Sequence, residues 1–429
     1  MGKLALTGGQ PLRTAPFPAW PVWDDREVEA VTGVVQSGKW FRFAYATGVE
    51  LNEPTSGPMS KAVEFAHSFA AFHGAKYGVC TANGTGSLEM LFKAIGLRPG
   101  EEVIVPAYTY VASATAVLHA QGVPVFVDVE PDTYLMDMDK VEAAITERTR
   151  AIEPVHFGGQ AVDMDRLLAI AQKHNLKVIE DDAHAHGSEW RGQKLGALGT
   201  AGSFSFQLSK NMTAGEGGII ITNDFDIAEL CESYLWSGRK KGRPWYEFHR
   251  LGWNYRITEF QAALLLVQLT RLEAQNARRM ENARYLAQLL GEIDGLQTQR
   301  WDERANKHSW HIFMIRYDPE RFDGVPRARF LEALSAEGIP CFTGYTFPLY
   351  ANPMFVNKDF LSHGAPVSPI YKDIDFTAYQ EKCPVTERAC YHESIWLEHR
   401  LLLGTRQDME AIAAGFRKVK ENLAEIKAH

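Results

Sequence analysis

Three groups of polar residues each follow an apolar, strand-like run of the sequence and could do chemistry there. The first, residues 83–87 (Asn-Gly-Thr-Gly-Ser), follows the run 77–81 and opens a helical pattern. Gly84 lets the backbone approach a ligand closely, and the free N–H groups of a first helical turn favour an anion. The segment matches neither a dinucleotide-binding fingerprint nor a Walker loop. It predicts an anion site at Gly84 and Thr85, with an ordinary capped helix start as the alternative.

The second group lies in residues 178–187, where an apolar run ends in Asp181 and Asp182. Binding sites of open α/β sheets lie at the carboxyl ends of the strands, and a buried carboxylate there needs a cationic or proton-donating partner. His184 and His186 could instead join the carboxylates as ligands of a metal-dependent hydrolase, although the sequence has no HExxH motif. A capped strand end with hydrogen-bonded histidines is the third interpretation.

The third group, residues 202–218, holds one lysine, Lys210, between two apolar runs and ahead of a glycine-rich turn. A single lysine is most often a solvated surface charge. Burial between the flanking runs would lower the pKa of Lys210 and make its neutral amine available. A neutral amine can form a Schiff base with an aldehyde.

The three groups together are more specific than any one of them. They supply an anion cradle, a carboxylate at a strand tip and a nucleophilic lysine, in that order along the chain. Pyridoxal 5'-phosphate needs these three things: a phosphate site, an acid partner for its pyridinium nitrogen and a lysine for its aldehyde. The sequence therefore predicts pyridoxal 5'-phosphate as the cofactor, with no metal.

The elements that must position these residues are short apolar runs that alternate with amphipathic, helix-like stretches between residues 76 and 222. This alternation predicts an α/β fold whose mostly parallel seven-stranded sheet is sandwiched by helices. We expect an N-terminal arm (1–25), a large α/β domain (26–265) and a smaller C-terminal α+β domain (266–429). The predicted strands are residues 77–81, 103–106, 123–129, 151–156, 177–181, 202–206 and 218–222.

Composition excludes several other classes of protein. The 429 residues carry 45 Lys and Arg against 53 Asp and Glu, and the net charge of −8 argues against nucleic-acid binding. No stretch approaches the roughly 18 apolar residues of a membrane span, and the N-terminus lacks the apolar core of a signal peptide. The five cysteines are odd in number and scattered, which is not typical of a disulfide scaffold. We therefore expect a cytoplasmic protein without a membrane or nucleic-acid partner.

The sequence resembles the DegT/StrS-type sugar and cyclitol aminotransferases, which are pyridoxal-phosphate enzymes of fold type I. The resemblance covers nearly the whole chain. It is carried by five motifs: Ser205 to Lys210 with the Gly-Glu-Gly-Gly run 215–218, residues 179–187, Asn83-Gly-Thr85, Pro106 to Tyr110, and residues 254–260.

The resemblance implies a role for each residue that matches a motif. Lys210 would hold the cofactor and shuttle the proton, Asp181 would pair with the pyridine nitrogen, and His184 would lie near the phenolic oxygen. Tyr110 would stack on the ring. The phosphate would be held by Gly84, Thr85 and Ser205.

The resemblance also implies a homodimer with shared active sites, because Asn254 would reach the phosphate bound by the neighbouring subunit. From the residues alone, Tyr110 and Asn254 would be a core aromatic and a turn residue. Trp40 and Phe41 match a family segment near the substrate, or else form an apolar plug. Residues 44–60 form a longer loop than the family pattern has, and this loop could reshape the substrate mouth.

Two C-terminal segments, residues 344–353 and 394–404, resemble the branch that acts on keto-cyclitols such as scyllo-inosose and the branch that makes 3-amino-5-hydroxybenzoate. We expect transfer of an amino group from L-glutamine or L-glutamate to a keto-cyclitol or keto-sugar in a ping-pong cycle, as in aminocyclitol antibiotic biosynthesis. A 3-amino-5-hydroxybenzoate synthase-like enzyme, a nucleotide-sugar aminotransferase and a non-catalytic binding protein are the alternatives. A related branch of the family performs dehydration and has histidine in place of the Schiff-base lysine. Lys210 argues against membership of that branch.

Overall fold

The computed structural model describes residues 2–41, 59–358, 371 and 373–429. Almost all of the predicted loop 44–60 lies outside the described residues. Residues 59 and 60 are described, and Ser60 caps the helix that follows, because its hydroxyl accepts a hydrogen bond from the N–H of Ala62.

The central sheet has seven strands in the order β1-β9-β8-β5-β4-β2-β3. Only β9 runs antiparallel to its neighbours β1 and β8, so the predicted mostly parallel sheet is confirmed. The β4 strand ends four residues earlier than the predicted run 151–156, since Pro154 has no N–H to donate to a ladder. The strands are β1 (Tyr77–Thr81), β2 (Glu102–Pro106), β3 (Val123–Val127), β4 (Thr149–Ile152), β5 (Lys177–Asp181), β8 (Ala201–Ser205) and β9 (Gly218–Thr222); β6 (Glu189–Trp190) and β7 (Gln193–Lys194) form a separate hairpin.

Helices cover the central sheet because most of its strand residues are apolar and buried. Two of these helices, α2 and α7, were not among the predicted elements. The helices of this part are α1 (Asp25–Ser37), α2 (Lys61–Phe72), α3 (Gly84–Ala94), α4 (Val111–His119), α5 (Met138–Ala143), α6 (Met164–His174) and α7 (Phe225–Leu235).

A smaller unit follows the long helix α8 (Glu259–Gly291), whose start is fixed by a capping box between Thr258 and Gln261. Its antiparallel sheet has the order β10-β11-β12. The C-terminal helical segment is interrupted at Asn422, so it forms two helices. The elements are β10 (Leu296–Thr298), β11 (Ile312–Tyr317), β12 (Ser394–Glu398), α9 (Arg327–Ala336), α10 (Pro353–Val356), α11 (Pro384–Arg388), α12 (Arg406–Glu421) and α13 (Leu423–Ala428).

One helix and several core contacts of the described residues cross the predicted domain boundaries. Helix α8 crosses the boundary at 265/266 without a break. Leu349, Tyr350 and Phe376 pack into the core of the central sheet, while Leu4 and Phe17 of the arm pack into the core around β11. The domain boundaries stay a prediction. Among the described residues, no helix combines the length and the apolar character that crossing a bilayer requires.

Candidate active site

The three groups of polar residues meet at one edge of the central sheet. Ser205, the last residue of β8, pairs with Gly218, which in turn pairs with Thr81 at the end of β1. Asp181, the last residue of β5, pairs with Ser203 two residues before the end of β8. The chain segments that carry Gly84, Asp181 and Lys210 therefore all leave the sheet at this edge, as the parallel topology requires.

The predicted anion cradle forms between the start of α3 and the end of β8. The Asn83 side chain caps α3 by accepting the N–H of Gly86 at 2.8 Å, and the Ser203 hydroxyl donates to the Gly84 carbonyl at 3.2 Å. A Cβ at position 84 would lie 2.9 Å from the Cβ of Ser205, so only glycine fits. The N–H groups of Gly84 and Thr85 open the helix and have no partner within it. Together with the Ser205 hydroxyl they can bind a phosphate.

Asp181 is buried at the carboxyl end of β5. One carboxylate oxygen accepts the Ser113 hydroxyl at 2.9 Å, and the other accepts the N–H of Ala183 at 3.1 Å. Burial raises the pKa of Asp181, while these two hydrogen bonds and the charge of Lys210 oppose the rise. Asp181 is thus a carboxylate held ready for a cationic N–H donor in a dry environment.

Lys210 is half-buried in the turn between β8 and β9. Its backbone N–H donates to the Gln207 carbonyl at 2.9 Å. Burial lowers the pKa of the Lys210 amine to about 8, and the nearby carboxylate of Asp181 opposes this shift. A lysine of this pKa supplies a substantial fraction of neutral amine near neutral pH, as a Schiff-base lysine needs.

His184 is neutral and its ring is fixed. Burial, Lys210 and His186 lower the pKa of His184 well below its ordinary value. Its Nδ1 accepts the N–H of Gly158 at 3.4 Å, so the ring hydrogen lies on Nε2. The ring stacks on His311 with centroids 4.2 Å apart. His184 therefore presents an N–H donor, which suits a phenolic oxygen.

The other predicted residues lie at the surface of the chain. Tyr110 caps α4 and is 59% exposed, which leaves its ring free to cover a ligand. Asn254 is exposed, and its side chain makes no hydrogen bond with the described part of this chain. Trp40 and Phe41 are exposed and pack on Phe260 and Trp236, with centroids 5.8 Å apart in each pair. The structure of one chain does not bring these last three residues to Lys210.

The alternative of a hydrolytic metal site is not supported. The Nε2–H of His186 donates to the Ser205 carbonyl, 2.9 Å away, and burial lowers the pKa of His186 to about 3. In the described ranges, the one group of three side chains close enough to share an ion is His156, Glu180 and Asp182. It contains neither Asp181 nor a residue of the His184 ring stack. Burial and the neighbouring carboxylates Glu180 and Asp181 raise the pKa of Asp182 well above its ordinary value.

Two residues of the site were missed in the sequence. Ser113, which donates to Asp181, follows Tyr110 by one helical turn, and this spacing was a usable signal. His311, which stacks on His184, is one histidine at the start of an apolar strand and gave no such signal. His311 donates from Nδ1 to the Asn211 side-chain oxygen at 2.9 Å, since the Asn211 amide nitrogen donates to the Ser309 carbonyl.

A cavity of about 720 Å³ opens beside the turn that carries Lys210. Ser209 and His311 form its inner wall, and aromatic and charged residues of the smaller unit complete it. The cavity is large enough for a small polar ring or an amino acid. Its lining includes Trp20, Phe342, Trp396, Glu398, His399 and Arg400.

An anion cradle, a buried carboxylate and a half-buried lysine at one edge of this sheet are the features of a pyridoxal-phosphate-dependent aminotransferase of fold type I. The chain belongs to the DegT/DnrJ/EryC1/StrS aminotransferase family, whose model matches residues 44–414. The family and the fold predicted from the sequence are thereby confirmed.

Relatives of known name cover the whole chain. An L-glutamine:2-deoxy-scyllo-inosose aminotransferase of Streptomyces lividus is 39% identical over 439 residues and covers 99% of each chain. A 3-amino-5-hydroxybenzoate synthase of Amycolatopsis mediterranei is 36% identical and spans 94% of this chain and 97% of its own. The crystal structure of a 3-amino-5-hydroxybenzoic acid synthase has a TM-score of 0.82 at 34% identity, covering 95% of this chain and 99% of the other.

Proposed function

We propose that this enzyme transfers the amino group of L-glutamine to a keto-cyclitol of the scyllo-inosose type, with Lys210 as the residue that carries the cofactor. The observation that carries the proposal is the half-buried Lys210 amine. Burial lowers the pKa of this amine to about 8, although the charge of Asp181 opposes the shift. The names of two relatives that are 38% and 39% identical, both L-glutamine:2-deoxy-scyllo-inosose aminotransferases, support L-glutamine as donor and a cyclitol ketone as acceptor. Bound pyridoxal phosphate would supply the electron-withdrawing ring that the transfer needs.

The side chains fit this cofactor one by one. The opening of α3 at Gly84 and Thr85, with the Ser205 hydroxyl, would hold the phosphate. Asp181 would accept the hydrogen of the pyridinium nitrogen, and its two hydrogen-bond donors keep the carboxylate oriented for this. The Nε2–H of His184 would donate to the phenolic oxygen, and the exposed ring of Tyr110 would cover the cofactor.

Lys210 would act as the proton carrier of the reaction. Its amine is neutral above a pH of about 8, and Asp181 lies close enough to affect its charge. A neutral amine at this position could accept a proton from the amino-acid carbon on the Lys210 Nζ and release it again within the site. The cavity beside Lys210 would hold the donor and then the acceptor in turn, which a ping-pong cycle requires.

The acceptor is tested with a panel of ketones. Purified enzyme loaded with pyridoxal phosphate and L-glutamine is incubated with 2-deoxy-scyllo-inosose, scyllo-inosose and a nucleotide-linked keto-sugar, and amine products are measured by mass spectrometry. We expect a kcat/KM at least about 100-fold higher for a cyclitol than for the nucleotide sugar, because a missing set of polar contacts commonly costs that much. A higher kcat/KM for the nucleotide sugar, or for an aminobenzoate precursor added to the panel, would contradict the proposed acceptor.

We also propose that the enzyme is a homodimer in which Asn254 completes the partner's phosphate site. Support comes from the exposed Asn254 amide, which makes no hydrogen bond within the described chain. Lys210→Ala and Asn254→Asp variants are each expected to be nearly inactive. Refolded together, they should recover about a quarter of wild-type activity, since half of the dimers are mixed and each mixed dimer has one intact site. No recovery on mixing would contradict the shared site.

A further inference from the structure

His399 lies directly after strand β12, and its ring reaches the turn that carries Lys210. It is 4% exposed. Its Nε2 is 3.0 Å from the carbonyl oxygen of Ser209, the residue that precedes Lys210. Its Nδ1 is 3.2 Å from a guanidinium nitrogen of Arg279 on helix α8. The ring therefore connects the long helix to the turn at two defined atoms.

The partners of His399 fix where its hydrogen lies. A guanidinium group can only donate, so Nδ1 must accept from Arg279 and carries no hydrogen. The hydrogen then lies on Nε2 and is donated to the carbonyl of Ser209. Burial and the charge of Arg279 lower the pKa of His399 well below its ordinary value. The ring is thus locked in one neutral tautomer.

Arg279 has no carboxylate partner within the parts of the chain that are described, although its side chain is fully buried. One of its nitrogens donates to the side-chain oxygen of Asn276 at 2.9 Å, while Nε has no partner. Asn276 in turn donates to the backbone carbonyl of His186 at 2.8 Å. A second nitrogen of Arg279 lies 3.4 Å from the side-chain oxygen of Gln275. Neutral acceptors on α8 therefore hold the guanidinium group that donates to His399.

Aromatic rings also pack against the His399 ring, in addition to its two hydrogen bonds. Trp20 packs edge-on at a centroid distance of 4.5 Å, and His311 lies parallel at 5.6 Å, with His184 stacked beyond it. The indole N–H of Trp20 also donates to the carbonyl of Leu208 at 2.7 Å. The carbonyls of Leu208 and Ser209, two successive residues of an exposed turn, therefore each accept a hydrogen bond from a side chain outside the turn.

We propose that His399 is a positioning residue for Lys210: through the Ser209 carbonyl it holds the turn 207–210 so that the lysine amine points at the cofactor. This role rests on the proposed function of Lys210. Asp181, His184, His186 and His311 are the ionisable groups that share this environment with the amine. Loss of the contact would leave the turn held at the Leu208 carbonyl and, beyond Lys210, at the Asn211 side chain. The amine could then move by about 1 Å, which can reduce kcat about 100-fold.

The test compares His399→Phe, which keeps the ring stacking and removes both hydrogen bonds, with His399→Gln, whose amide N–H can still donate to Ser209. His308→Phe is the matched control, because His308 is also fully buried and stacks on Trp310 at 3.8 Å, away from Lys210. Each variant is measured for kcat, for KM with L-glutamine, and for the pH midpoint at which the apoenzyme captures pyridoxal phosphate.

We expect His399→Phe to lower kcat by 10- to 100-fold with KM changed less than about 2-fold, and to raise the capture midpoint from about 8 toward that of an exposed lysine. His399→Gln should recover most of both values, and His308→Phe should match wild type. Wild-type kcat and midpoint in His399→Phe, or equal losses in the Phe and Gln variants, would overturn the proposal. If wild type captures the cofactor but transfers no amino group, the proposed function fails, while the midpoint still decides the role of His399.

Discussion

Gly84→Ala should weaken cofactor binding by a predictable amount. The added Cβ would lie 2.9 Å from the Cβ of Ser205 and 3.5 Å from its hydroxyl oxygen. Carbon atoms in contact are ordinarily about 3.5–4.0 Å apart, so the overlap is roughly 0.6–1.1 Å. Since Ser205 is fixed in the ladder with β9, the start of α3 must move away from it. The two walls of the phosphate cradle then separate by about the length of the overlap.

A separation of this size removes at least one hydrogen bond to the phosphate. A hydrogen bond to a charged group contributes about 1.5–3 kcal/mol. Its loss corresponds to a Kd for pyridoxal phosphate that is about 10- to 150-fold higher. Relieving the overlap should also cost about 1–3 kcal/mol of folding stability, so the variant should melt at a lower temperature.

The assay is a titration of the apoenzyme with pyridoxal phosphate, followed by the visible absorbance of the bound cofactor. Gly33→Ala on α1 is the control, because a Cβ there meets no atom within 4 Å. We expect unchanged affinity in Gly33→Ala and a clear loss in Gly84→Ala. An affinity of Gly84→Ala equal to that of wild type would refute the assignment of this cradle to the phosphate.

Three further predictions concern the other groups of the site. Asp181→Asn should lower kcat at least about 100-fold without abolishing cofactor binding, because the amide cannot neutralise the pyridinium nitrogen; stopped-flow kinetics with L-glutamine would show this. Ser113→Ala should lower kcat about 3- to 10-fold by freeing one oxygen of Asp181, whereas Thr115→Ala on the same helix should have no effect in that assay. The rate of cofactor capture should rise with pH with a midpoint near 8 and level off more than about one pH unit above it, since only the neutral amine of Lys210 attacks; a midpoint near 10 would contradict this.

The sheet edge was predictable because each part of it is encoded locally. Apolar runs of strand length that end at Thr81, Asp181 and Phe206 predict where parallel strands stop, and parallel strands stop at one edge. Gly84 and Lys210 lie a few residues beyond such ends, so the topology alone brings them together.

The supports of the site could not be predicted in the same way. His311, His399 and Arg279 come from the smaller unit and from α8, far along the chain from Lys210, and their spacing carries no periodic signal. Their contacts depend on how two packed units meet, which tertiary packing decides. Helix α2 was missed because the loop-like segment before it obscured its start at Ser60.

Lys210 is tested most directly by finding which lysine of the enzyme holds the cofactor. The enzyme loaded with pyridoxal phosphate is reduced with borohydride, digested and analysed by mass spectrometry, with Lys210→Ala treated in parallel. We predict a single pyridoxyl-modified peptide that contains Lys210, and none in the variant. Modification of another lysine, or of none in wild type, would contradict the central claim that Lys210 carries the cofactor at this site.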